Sequence, residues 1–297
     1  SWSLHPSCGS GYYGEESNLV KSKGYLPKIF YPLIFLIFFG FALFPFYWMA
    51  VTALKTDGEI YDLQAFPLWI QKGITIEHFN YLFEETNFLR WLLNSLLVSG
   101  ITTFISVIFS TMAAYSLTRL NFSGSNLIAV AIFISYLVPP TLLFIPLSSV
   151  VSHLGLTDSV GSLMLTYPTF IIPFCTWLLM SYFKTIPLSI EECAIIDGAS
   201  RWQVIYAIIL PIAIPGITTA ALFAFSLSWA QFIYPIAFLS SSPNQVISVG
   251  VATELIRGDV YFWGSLMGGA LLASIPIIIL YSFFTKYFIS GLTGGAI

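Results

Sequence analysis

Six intervals of this 297-residue chain hold no Asp, Glu, Lys or Arg and are each long enough to cross a bilayer: 29–54, 91–118, 120–157, 159–183, 202–253 and 260–285. A spanning helix needs about 20 apolar residues. Backbone in lipid must satisfy its own hydrogen bonds, and long uninterrupted apolar runs do so as helices. Charged residues make up 8% of the chain against 57% hydrophobic ones, whereas soluble domains carry about 25% charge. Too few charges remain to cover a water-facing surface, which excludes a soluble enzyme. A net charge of -3 leaves no basic face for nucleic acid. The expected fold class is therefore an all-α integral membrane protein with six transmembrane helices. Their expected spans are about 29–52, 91–117, 126–150, 160–183, 204–228 and 262–285.

The 52-residue interval could hold two spans, but Pro235, Ser240, Ser241, Ser242, Pro243 and Asn244 interrupt its second half. That composition reads as a buried hairpin or an external loop. Pro139-Pro140 should break or kink the third span. The basic residues divide seven (Lys21, Lys23, Lys28, Arg119, Lys184, Arg201, Lys286) against four (Lys55, Lys72, Arg90, Arg257) across an even number of spans. The richer side faces the cytoplasm, so both termini are expected there and 1–28 is a flexible cytoplasmic segment. The aromatic-rich segment 55–90 reads as an ordered external loop with short amphipathic helices that anchor at the membrane interface.

The chemistry that is missing narrows the function. Cys8, Cys175 and Cys193 are too far apart to form a disulfide framework or a metal-spaced cluster. No nucleophile–base pair, metal cluster or cofactor loop is visible, so neither a catalytic residue nor a metal site is assigned. His153 beside Asp158 reads as a surface histidine. No Asp, Glu, Lys, Arg or His lies in the six predicted cores, which counts against a proton-coupled pump or voltage-gated channel. A sodium site built from carbonyls and hydroxyls remains open. The chain also lacks a G-x-x-x-x-G-K-[ST] phosphate cradle. If ATP drives transport, another chain must bind it.

The most informative segment is 186–211, IPLSIEECAIIDGASRWQVIYAIILP. Ser189 precedes Glu192 by three residues, as Ser200 precedes Gln203, and each pair has capping-box spacing. A short helix is expected to begin after Pro187 and stop at Gly198, where a positive φ would suit glycine alone. A second helix follows. So short a helix is marginal in water, so its apolar face (Ile190, Ala194, Ile195) must pack on something.

Glu192, Ala194 and Gly198, then nine residues, then Ile208, Leu210 and Pro211 have the spacing E-x-A-x-x-x-G…I-x-L-P. This resembles the EAA loop of permease subunits of ABC importers, with Cys193 where the family usually has Ala. Phe183-Lys-Thr-Ile-Pro187, Ile196-Asp-Gly-Ala199, Phe79-Asn-Tyr81, Asn94-Ser95, Ala113-Ala-Tyr-Ser-Leu-Thr-Arg119, Leu154-Gly-Leu156 and Gly291-Leu-Thr293 are similar to the maltose-type (MalG-like) carbohydrate importers. The resemblance runs from about residue 28 onward. It implies a half-pore in a bacterial or archaeal plasma membrane, with a homologous second permease, two ATPase subunits that bind ATP and Mg, and an extracytoplasmic solute-binding protein. The loop 184–211, between the fourth and fifth spans, would be cytoplasmic and carry a coupling helix. Its closure with the ATPase dimer would open the permease outward, and hydrolysis would return it inward. Glu191, Glu192, Ala194, Asp197, Gly198 and Arg201 are the ATPase-coupling candidates. Glu192 could cap its own helix, meet a basic partner group, or both.

Neutral sugars are bound by aromatic faces and uncharged hydrogen-bonding groups, which suits charge-free helices. Asn94, Tyr136, Trp229, Gln231 and Tyr234 are the substrate-path candidates. Trp229-Ala-Gln-Phe232 stands where the family often has Trp-Asn-Glu-Phe, so no particular sugar carries over. The alternatives are the same assembly moving a polyol or glycerol phosphate, and an independent secondary transporter.

Overall fold

The computed structural model describes residues 30–120, 122–258 and 260–293, with side chains as far as Thr285. The expected flexible segment 1–28 lies outside the described residues. Those through Trp48 form one unit and those from Met49 a second. Helix α1 (Phe30–Leu54) opens the chain without a charge along its length. Its 25 residues reach about 38 Å at 1.5 Å per residue, enough to cross hydrocarbon.

In the second unit, the end of α1 is followed by the segment expected to be an aromatic external loop. It contains two short helices, α2 (Asp57–Ile60) and α3 (Glu77–Glu84), organised around a buried ion pair. Lys55 Nζ lies 3.2 Å from Glu59 Oε1 and donates to the Phe66 carbonyl at 2.8 Å. Glu59 accepts the backbone N–H groups of Gln71 at 2.9 Å and Lys72 at 2.8 Å. Burial raises the Glu59 carboxyl, but these donors outweigh it and hold the group below the usual carboxylate range.

Helix α4 (Phe88–Arg119) buries Trp91, Ser95, Ser99, Thr102, Ser106, Ser110 and Ala114. The spacing of three or four residues places them along one face. Small side chains on that face let neighbouring helices approach closely, which is how helices associate where lipid supplies no hydrophobic drive. The neighbours are α8 (Pro168–Phe183) and α11 (Leu210–Trp229). Ser110 Oγ donates to the Ile172 carbonyl of α8 at 3.1 Å.

Helices α5 (Ser125–Leu137) and α6 (Pro140–His153) meet at a 95° bend. Two consecutive prolines remove two N–H donors there, and Val138 before them adopts extended backbone (φ -69, ψ 120). Helices α7 (Val160–Thr166) and α8 form one span. After the short helix α9 (Ser189–Ile196), α10 (Arg201–Gln203) continues through a π-turn (Val204–Ile209) into α11. The fifth span thus runs unbroken from Arg201 to Trp229, longer than the expected 204–228, because the Ser200 cap starts the helix at once. The region expected to be a buried hairpin or an external loop holds α12 (Ile233–Phe238) and α13 (Ile247–Leu255), followed by an antiparallel pair of β1 (Ile256–Arg257) and β2 (Val260–Tyr261). Helix α14 (Trp263–Thr293) is the last helix among the described residues. Among the described residues five helices are long and apolar enough to span, and the bent pair makes up to six.

Gly250 of α13 meets the indole of Trp91, and a Cβ there would come within 2.3 Å of a ring carbon. This contact presses α13 against the start of α4. Trp91 Nε1 in turn donates to the Ser242 carbonyl at 2.7 Å.

Candidate functional site

The loop between the fourth and fifth spans folds as a short helix, a glycine turn and a capped second helix. The first helix, α9, does not begin with a capping box as the Ser189–Glu192 spacing had suggested. The turn at Phe183–Pro187 already leads into helix, and Leu188 is the N-cap with helical φ and ψ (-62, -29). Ser189 is consequently inside the helix, where its hydroxyl cannot reach back to cap. The expected second box is present: Ser200 Oγ accepts from Gln203 N at 3.4 Å, and Gln203 Oε1 accepts from Ser200 N at 2.7 Å.

Helix α9 ends at Gly198, whose φ is 89°. Gly198 N donates to the Ile195 carbonyl and Ala199 N to the Ala194 carbonyl, both at 3.0 Å. This paired closure is a Schellman motif, which satisfies carbonyls that a helix end would otherwise leave open.

The two adjacent acids of α9 point different ways, as neighbours about 100° apart on a helix must. Glu192 is exposed, together with Cys193, Asp197, Gly198 and Arg201. Glu191 and Ala194 are buried. Of the expected apolar face, Ile190 packs against the core, whereas Ile195 is 50% exposed. Ile196 and Trp202 stand out at 83% and 72% exposure.

Glu191 Oε1 lies 2.8 Å from Arg119 Nε, and both side chains are 7% exposed. Tyr115 Oη donates to Glu191 Oε2 at 3.0 Å. Arg119 Nη2 donates to the carbonyls of Phe183 at 2.8 Å and Ile186 at 2.7 Å. A cleft of about 130 Å³ borders this cluster between Leu188, Ile195 and Val204. Alongside lies an apolar groove of about 620 Å³ between the ends of α4 and α11, with Val107, Met112, Ile205 and Tyr206 among its walls. Nothing here resembles a catalytic centre, and the described residues hold no group of three metal-ligating side chains.

Comparison with known proteins bears on this arrangement. The family model described as the inner membrane component of binding-protein-dependent transport systems matches residues 106–294. The chain belongs to this family. The Escherichia coli inner membrane ABC transporter permease protein YcjP is 32% identical over 88% of this chain and 93% of its own. The trehalose/maltose permease protein MalG of Thermococcus litoralis is 31% identical over 86% and 91%. A chain of the bacterial ABC transporter that imports alginate superposes with a TM-score of 0.73 at 20% identity, over 88% of this chain and 95% of that one. This permease is accordingly a multi-pass membrane subunit of an ABC importer and not an enzyme.

The structure gives the five substrate-path candidates of the permease different surroundings. Asn94 Nδ2 donates to the carbonyls of Pro243 at 3.0 Å and Gln245 at 2.8 Å. Trp229 is buried against Phe225, with ring centroids 5.5 Å apart. Gln231 Oε1 accepts from the N–H groups of Phe232 at 3.0 Å and Ile233 at 3.2 Å, which satisfies the start of α12. Tyr234 is fully buried and donates to the Pro140 carbonyl at 3.0 Å, beside the bend of α5 and α6. Tyr136 is 41% exposed, near Phe174.

At the far end of α4 from the Arg119 cluster, Asp158 has φ 56° and accepts from Ser240 N and Ser241 N, each at 2.9 Å, and from the Ser241 hydroxyl. Asn244 Nδ2 donates to its carbonyl at 2.7 Å. The Ser241 hydroxyl and the backbone N–H groups hold the Asp158 carboxyl down at about 2. His153 is exposed and bonded to the Ser149 carbonyl of its own helix. Tyr115 and Arg119 were not singled out from the sequence as site residues. The signal available was a lone arginine closing a long apolar span, a position that needs partners for five N–H donors.

Proposed function

We propose that this permease forms half of the translocation pathway for a neutral sugar or oligosaccharide and takes its power stroke through the loop 184–211. The observation that carries the reading is the geometry of that loop. Helix α9 is fastened beneath by buried groups, while Glu192, Ile196, Asp197, Arg201 and Trp202 are offered outward. Exposed aromatic and aliphatic side chains ringed by charges suit a protein partner. The chain has no phosphate cradle, so the partner supplies ATP and Mg binding and this subunit supplies a projection to be pushed.

The loop then faces the cytoplasm, with both termini on the same side. A homologous second permease, two ATPase subunits and an extracytoplasmic solute-binding protein complete the assembly. Relatives named for trehalose, maltose and diacetylchitobiose transport favour a carbohydrate cargo, as do spans free of charge. Tyr136, with its exposed ring, is the path-facing candidate, and Asn94, Trp229, Gln231 and Tyr234 are the supporting ones.

The test is ATP hydrolysis by the assembly in lipid. Wild type co-expressed with its partner subunits should hydrolyse ATP faster with sugar-loaded binding protein, and Gly198→Asp and Glu192→Ala should lose that response. If no ATPase co-purifies and the chain alone moves solute down an ion gradient, the reading is wrong.

A further inference from the structure

The cluster beneath α9 joins three segments of chain. Arg119 closes the last turn of α4. Its Nη2 holds the Phe183 carbonyl at the end of α8 and the Ile186 carbonyl of the following turn, at 2.8 and 2.7 Å. Its Nε faces Glu191 of α9 at 2.8 Å. Tyr115, one turn earlier on α4, donates to the other carboxylate oxygen at 3.0 Å. Both charged side chains are 7% exposed, so each depends on the other for compensation. Rotating α9 or sliding it along its axis would strand two buried charges.

The other end of α9 is built differently. It passes through Gly198, at φ 89° with nothing within 4 Å of where a Cβ would stand, then through the exposed Ser200 cap into the π-turn Val204–Ile209. No buried ion pair ties α9 to α11 among the described residues. One end of the coupling helix is therefore a rigid weld and the other an elbow.

We propose that Arg119, Glu191 and Tyr115 are positioning residues that make α9 a rigid extension of α4 and α8, so that displacement of α9 reaches these two helices first and α11 only through the Gly198 elbow. The proposal rests on the coupling function proposed above and adds which helices receive the stroke.

The experiment measures solute imported per ATP hydrolysed by the full assembly in proteoliposomes, with sugar-loaded binding protein, for wild type, Arg119→Gln and Tyr115→Phe. A residue that merely keeps the subunit folded lowers import and hydrolysis in proportion, so the ratio stays constant. A joint that transmits motion lowers the ratio. Arg119→Gln is expected to reduce it about tenfold, and Tyr115→Phe, which removes one hydrogen bond, about two- to threefold. An unchanged ratio in both variants overturns the proposal. If Arg119→Gln fails to assemble, Tyr115→Phe decides alone: a lowered ratio supports the joint and an unchanged one overturns it. A wild-type assembly with no ATP-driven import overturns the coupling function itself, an outcome separate from any difference between variants.

Discussion

Gly198→Ala is the substitution whose consequence follows most directly from the geometry. Gly198 sits at φ 89° and an added Cβ would meet nothing within 4 Å, so packing does not enter. Two routes are open to alanine. It can keep the left-handed conformation, at about 1–2 kcal/mol. Alternatively it can relax and break the bonds from Gly198 N and Ala199 N, each worth about 0.5–1.5 kcal/mol. The routes cost about the same, so neither offers an escape. Alanine also restricts the opened chain, which returns about 0.4–1 kcal/mol. The net loss is about 0.5–1.5 kcal/mol, a two- to tenfold rise in the population with this turn open. Hydrogen exchange of peptides covering 189–203 reads that population. The Gly198→Asn variant should exchange at a rate between wild type and Gly198→Ala, because asparagine tolerates left-handed backbone, and Gly198→Val should be fastest. Exchange of the alanine variant within error of wild type, or a loop more open with asparagine than with alanine, would refute the strain argument.

Three further outcomes follow from contacts elsewhere. Gly250→Ala should destabilise the purified chain by about 1–3 kcal/mol through overpacking against Trp91. Gly100→Ala, also helical but with nothing within 4 Å, should stabilise it by about 0.5–1 kcal/mol. Thermal aggregation midpoints in detergent would show the opposite signs. Ser95→Ala removes the acceptor for Ile247 N, a buried bond of 2.8 Å, and should cost about 1–3 kcal/mol on the same assay. The Asp158 carboxyl is held at about 2, below its ordinary value, so the stability it lends is complete above pH 4. That stability is lost as the pH falls from about 4 towards 2. Amide protection of 238–245 should fall across that window, and Asp158→Asn should lower it at neutral pH without a further acid step.

Much of this architecture follows from local rules, and those parts were legible in the sequence. Charge-free runs mark the spans, Pro139-Pro140 marks the bend, and Gly198 and Ser200–Gln203 mark a helix stop and start, each within a few residues of its cause. What was not legible depends on distant partners. Glu191 and Glu192 are chemically identical in sequence, and only the phase of α9 against a tyrosine 76 positions away decides which is buried. Likewise nothing near Asn94 in sequence names its partners, and only the placement of α4 beside 243–245 brings its amide to the Pro243 and Gln245 carbonyls. The Ser189 capping box failed for a subtler reason. Capping needs extended backbone at the N-cap, and the preceding turn had already committed Leu188 to helix.

The stretch from Ser240 to Ile247 looks like a linker, rich in serine and broken by proline, yet side chains from distant parts of the chain pin it. Asn87, Trp91, Asn94, Ser95 and Asp158 all bond to it. A floppy loop that met a partner would have to surrender rotational freedom at the moment of contact, and the complex would be weaker by that amount. Here the freedom has already been given up on folding. A partner that met this stretch would find a preset shape, so its affinity would be governed by surface fit and by how quickly the two surfaces separate. Loosening any one of these bonds should therefore weaken docking even where the altered side chain never touches the visitor.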